Sequence, residues 1–233
     1  MNSTSTPFYR MLIALSIIGA LLIGIVAFRY SYSSSSAIES GAGLIVLLAL
    51  TASLGLYRNR PSRHMNSAER NGVLCFGMIL GLLWIVEISI NNFIAPPLPA
   101  RDMVDNIFWA IIALCILAFS IIRAYQKDSL VHGIEVGIWN GLVSGLMACC
   151  MALIMIVFGM RFIVQDPLNA SEWIERGAGM TAPNMAAYFA FETLAGALGH
   201  LILLGFIMGS LLGVVGGSLG RGIKLAFRMK RPS

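Results

Sequence analysis

Long apolar runs, parted by short segments that carry most of the charge, constrain this chain more than any other feature. A water-soluble fold of 233 residues, 58% of them hydrophobic and 12% charged, has no means of hiding that much apolar surface. An ordinary soluble domain carries roughly 25% charged residues. Lipid removes the difficulty, because a bilayer asks only that backbone polar groups be satisfied within the structure. The chain is therefore expected to be an all-α polytopic membrane protein.

Six transmembrane helices are expected, at about 11–28, 41–57, 72–93, 106–123, 133–160 and 190–219, in a single membrane domain over 1–233. The second, Gly41 to Tyr57, is short but within the usual range. The last apolar stretch extends from about 185 to 219. As one helix it would measure about 52 Å, against a hydrocarbon core of roughly 30 Å. Its first part, Asn184 to Leu194, is accordingly expected at the interface or in a tilted extension. Between the spans, Pro96, Pro97 and Pro99 forbid continuous helix, and 161–184 forms the largest polar loop. Arg10 before the run Met11 to Phe28 has the outline of a signal peptide. The run is long for that purpose and no small-x-small cleavage site follows, so it reads as an uncleaved first span.

Charge sets the orientation. One set of connections collects Arg10, Arg58, Arg60, Arg63, Arg70, Arg123, Lys127, Arg221, Lys224, Arg228, Lys230 and Arg231; the other holds only Arg29, Arg101, Arg161 and Arg176. The positive-inside rule places the first set, and with it both termini, in the cytoplasm. The same distribution accounts for the net charge of +5 without nucleic acid, for which no basic helix face or zinc-finger spacing is present. Cys75, Cys115, Cys149 and Cys150 lie inside apolar runs and read as small buried hydrophobes.

Gly77-x-x-x-Gly81 and Gly141-x-x-x-Gly145 recur at an offset of 64, and FIAPPLP (93–99) is echoed by FIVQDPLN (162–169). Either a two-helix unit is duplicated in parallel, over 71–130 and 132–220, or short apolar sequences resemble each other by composition. Gly205, Gly209 and Gly213 in the last span continue the small-residue theme. Glycines four apart let membrane helices approach closely. These seven glycines are expected to pack helices, within the chain or against a second copy.

Carboxylates inside apolar helix are expensive and mark candidate functional sites. Glu87 and Glu192 both fall in the outer half, where they are expected to face one outward cleft with Asn91. His200 lies deeper on the last span. Glu135 and Asn140 lie nearer the cytoplasmic entry of the fifth. No metal-binding or catalytic spacing joins these residues, so no metal and no cofactor are expected. Two functions fit: a non-enzymatic subunit or scaffold acting through helix packing, with membrane lipids and a homo-oligomer or membrane-protein partner; or a small transporter or channel component using the outer carboxylates. The glycine-rich spans and the closing GxxGGxxG before a basic tail have the general look of bacterial inner (plasma) membrane proteins, without a motif that carries an activity.

Overall fold

A computed structural model describes residues 7–30, 35–57, 65–176 and 182–229. The described residues are all-α: α1 (Pro7–Arg29), α2 (Ser35–Tyr57), α3 (Ser67–Ser89), α4 (Ala100–Lys127), α5 (Leu130–Phe158), α6 (Met160–Gln165), α7 (Pro167–Glu175), α8 (Met185–His200) and α9 (Gly209–Met229). Two π-helical segments interrupt the α geometry, π1 (Ile90–Ile94) after α3 and π2 (Leu201–Met208) between α8 and α9. Among the described residues, five helices are long and apolar enough to cross a membrane: Tyr9–Arg29, Ser67–Ile94, Ala100–Lys127, Leu130–Phe158 and Met185–Met229. The apolar part of α2, Ile38–Leu54, is shorter.

Helix ends follow local chemistry. Asn66 caps α3 by accepting from the Glu69 amide at 2.9 Å, while the Glu69 carboxylate accepts from the Asn66 amide at 3.0 Å. This reciprocal box satisfies two amides that a helix start leaves without partners. Ser129 and Asn184 cap α5 and α8 through their side chains. Ala95 and Asp128 turn the chain in left-handed conformations, at φ 49° and 52°. The prolines after Ala95 hold the chain out of helix until α4 begins at Ala100.

Two stretches are more helical than the sequence suggests. The expected outer loop contains α6 and α7, the latter started by Asp166 at the cap and Pro167 in the first turn. The last helix runs without a break from Met185 to Met229, 45 residues or about 67 Å, beyond both ends of the span expected at 190–219. Gly205, Gly209, Gly213, Gly216, Gly217 and Gly220 do not end it, because they are packed against other helices.

The centre of the molecule is α5, with 78% of its apolar window buried against 22–44% for the other four long helices. Contact positions fix the directions. Gly77 of α3 faces Val143 and Gly81 faces Met147, so α3 and α5 run parallel. Along the last helix the order reverses: Gly217 meets Gly133, Gly213 meets Gly137, Gly209 meets Gly141 and Gly205 meets Gly145. Gly216 and Gly220 face Ser120 and Ala124, which sets α4 parallel to α9. Ser16 hydrogen-bonds Thr51 at 2.9 Å, and Gly19 faces Leu48, so α1 and α2 are antiparallel. α1 follows α5, with Cys150 Sγ bonded to the Leu15 carbonyl and Arg29 bonded to that of Val157 at 2.6 Å. Directions thus alternate through α1, α2, α3, α4, α5 and the α8–α9 helix.

The seam between α5 and the last helix has no side-chain layer. A Cβ on Gly137 would lie 2.7 Å from the Gly209 carbonyl oxygen, and one on Gly209 would lie 2.9 Å from that of Gly137. Backbone meets backbone, so dispersion between main chains replaces the interdigitation of larger side chains. Each glycine costs about 1 kcal/mol of helix propensity relative to alanine. The close approach offsets that cost.

Candidate functional site

Toward the end of the bundle where α3 finishes and α8 begins, α5 exchanges its glycines for larger residues and the helices around it part. A cavity of about 220 Å³ lies there. Its walls are Glu87 and Ile88 of α3, Asn91 and Asn92 of π1, Ala152 and Met155 of α5, and Thr193, Gly196, Ala197 and His200 of α8. Both irregular segments border it. π1 supplies the two asparagines, and π2 starts directly after His200. Single π turns inside α-helices recur at functional sites.

Glu87 dominates the wall chemically. It is 6% exposed, and its Oε1 accepts from Asn91 Nδ2 at 2.7 Å. Asn91 Nδ2 also donates to Asp105 Oδ1 at 2.6 Å, so one amide bridges two carboxyl groups. Glu87 Oε2 and Asn91 Oδ1 are buried with no donor from the protein. Among the described residues neither carboxylate pairs with a lysine or arginine. The nearest candidate in sequence, Arg101, one turn before Asp105, is engaged elsewhere. It donates to the Pro96 carbonyl and forms a 2.9 Å ion pair with Asp166.

No family model, curated protein or solved structure matches this chain. What the site does must be argued from its own atoms. Glu87, Asn91 and Asn92 lie at one end of a small cavity, with the Asp105 carboxyl tied to Asn91 outside the lining, and His200 lies at the other end. His200 Nδ1 lies 2.7 Å from the Gly196 carbonyl, and its ring meets Trp84 edge-on at 6.1 Å. Trp84, fully buried, meets Trp109 of α4 in the same manner at 4.9 Å. Of this cluster His200 reaches the cavity wall, with the two tryptophans packed behind it. Such an arrangement suits a positively charged or hydrogen-bond-donating guest. An anion would meet repulsion from both carboxylates.

The expected site residues divide into three groups. Glu87, Asn91 and His200 come together in the cavity. Glu192 does not join them; it is exposed, near Tyr188 and Arg176, and the expected Glu87–Glu192 face-to-face pair does not form. Glu135 and Asn140 lie on the inner part of α5, Glu135 beside buried His132 and Asn140 fully buried with both amide atoms without partners. Among the described residues no group of three or more His, Cys, Asp or Glu is placed to hold a metal.

All seven expected packing glycines make close contacts: Gly77 and Gly81 against α5 side chains, Gly141 and Gly145 against the backbone of Gly205 and Gly209, and Gly213 against Ile134 and Gly137. Sequence reasoning missed Asp105, and it missed Gly133 and Gly137, the other two glycines of the α5 series. A signal for Asp105 exists. A proline reversal at 96–99 folds α4 back along α3, which sets the second turn of α4 beside the last turn of α3.

Proposed function

We propose that this chain is a six-span membrane protein, with both termini cytoplasmic, whose outer-half cavity binds a cationic solute as a small transporter or channel component. The observation that carries the reading is Glu87: a nearly fully buried carboxylate on a cavity wall, with Oε2 buried and without a donor, linked to Asp105 through Asn91 and, among the described residues, without a basic partner. An uncompensated buried carboxylate is strongly unfavourable. It is relieved by a proton held between the two carboxyl groups or by a bound cation, and exchange between these states is the elementary step of cation binding. Six crossings are supported by the alternating helix directions and by the loop-by-loop alternation of charge. In this reading α2 is the shortest span.

The subunit or scaffold reading draws on the glycine face of the last helix. That face is occupied by α5, which leaves it without a surface to offer a second chain.

The test is equilibrium binding of radiolabelled methylammonium to the full chain reconstituted in lipid nanodiscs. Saturable binding that Glu87→Gln abolishes and Glu192→Gln leaves intact is expected. Equal binding by Glu87→Gln would refute the assignment.

A further inference from the structure

We propose that the cavity takes its ligand sideways from the membrane, and that the ligand is an amphiphile with a protonated amine head and an alkyl chain. This rests on the cation-binding reading above and adds the route of entry and the ligand class.

The frame of the cavity gives the route. α3 and α8 both pack on α5, yet share no packed face with each other. They meet at the inner end, where Trp84 touches His200. At the outer end, Phe93 of π1 stacks edge-on against Phe162 of α6 at 4.9 Å. Close by, Arg101 ties the start of α4 to Asp166 at the α6–α7 junction. Between these closures the α8 wall is built from its smallest residues. Gly196 is exposed, and a Cβ there would meet nothing within 4 Å; half-buried Gly199, outside the lining, likewise has nothing within 4 Å of a Cβ. The opening is therefore a slot along the side of the bundle, on a helix whose neighbouring positions belong to an apolar span.

The lining gives the ligand class. One end of the slot is lined by Glu87 and Asn91, whose Oε2 and Oδ1 are buried without protein donors, and Asn91 links Glu87 to Asp105 outside the lining. An ammonium group has up to three N–H donors and one positive charge, which matches two acceptors and the carboxyl pair. The floor is Ala152 and Met155, with Ile88 and Ala197 at the sides. These apolar surfaces suit methylenes, while Asn92, Thr193 and His200 complete the lining with polar atoms. A head with a chain fills both ends of the site, with the remainder of the chain passing through the slot into lipid.

The experiment uses the full chain in phosphatidylcholine nanodiscs and a series of radiolabelled primary amines: methylamine, butylamine, hexylamine and octylamine, all protonated at neutral pH. Counts retained by Glu87→Gln nanodiscs are subtracted as lipid background. Lateral entry makes the apparent aqueous Kd fall about fourfold per added methylene, the partition gain of one CH2. Gly196→Leu, which fills the slot without touching the packed seam, should weaken octylamine at least tenfold. Gly24→Leu, also in open space, should leave it unchanged. Affinity independent of chain length, with Glu87-dependent methylamine binding preserved, would overturn lateral entry while leaving the cation site standing. No Glu87-dependent binding of any amine would remove both.

Discussion

Along α5, the residues from Gly133 to Gly145 and those from Ala152 to Met155 meet the rest of the molecule in different ways. The first stretch touches the last helix backbone to backbone, and on the adjoining side Val143, with Met147 one turn on, packs against Gly77 and Gly81 of α3. The second stretch floors a cavity whose walls are polar and whose flanking helices stand apart. One helix therefore serves as the axis of a tight seam at one end and the base of an open site at the other. The change occurs where glycine at every fourth position stops. Small residues permit contact, and once larger ones replace them the partner helices splay and leave room for a guest. Polar atoms follow the same division. The half of the bundle around the seam buries Ser120 and Asn140 among packed helices, whereas the half around the cavity assembles Glu87, Asn91 and Asp105 into a hydrogen-bonded group at its wall.

The sharpest way to break the contrast is to place a side chain in the seam. Gly137→Leu forces a Cβ within 2.8 Å of both the Gly209 carbonyl oxygen and the Gly213 amide, and backbone cannot yield as a side chain can. Overpacking by a few methylenes costs about 1–3 kcal/mol in cores that can relax. Here the cost should exceed that and abolish the folded form, read as loss of a cooperative melt and of monodisperse protein in detergent. A transition within a few degrees of the parent would mean that the seam is loose.

The outer half should depend on its polar strap instead. Asp166 is buried, pairs with Arg101 and accepts from the Leu168 amide at the start of α7. Asp166→Ala removes a cap and leaves the Arg101 guanidinium without its carboxylate, at about 3 kcal/mol. Hydrogen exchange should speed up in α6, α7 and the first turns of α4, with the seam unaffected. Uniform acceleration throughout would show that the two halves are one cooperative unit.

A smaller effect of opposite sign is expected at Asn140. Its amide is fully buried with neither atom partnered. Exchanging an unsatisfied polar group for an apolar one of similar size is neutral or stabilising, so Asn140→Leu should raise stability by about 1 kcal/mol. A clear loss of stability, measured by chemical denaturation in the same detergent, would show that Asn140 takes part in a polar network.

Much of the architecture is legible in the residues. Apolar run lengths mark the long helices, the prolines mark the turn after Ile94, and glycines four apart mark the faces that pack. Less legible is which glycine meets which. Gly205, Gly209 and Gly213 suit a second copy of the chain as well as α5, and only the full series at Gly133, Gly137, Gly141 and Gly145 makes α5 the matching partner. Glu87 and Asn91 stand out because a carboxylate and an amide in apolar helix are costly. Asp105 does not, since before its helix is placed it is one acid among several in an outer loop. Glu192 illustrates the reverse error. Depth along the helix suggested a cleft, but depth says nothing about rotation, and α8 turns Thr193, Gly196 and His200 to the cavity instead.

Native mass spectrometry of the full chain released from its own lipids, compared with Glu87→Gln prepared identically, tests the account most directly. A monomer that retains a small cationic adduct in the parent and loses it in Glu87→Gln is the predicted result. A stoichiometric oligomer or partner complex, with no adduct and no difference between the two proteins, would contradict it and return the chain to the subunit reading.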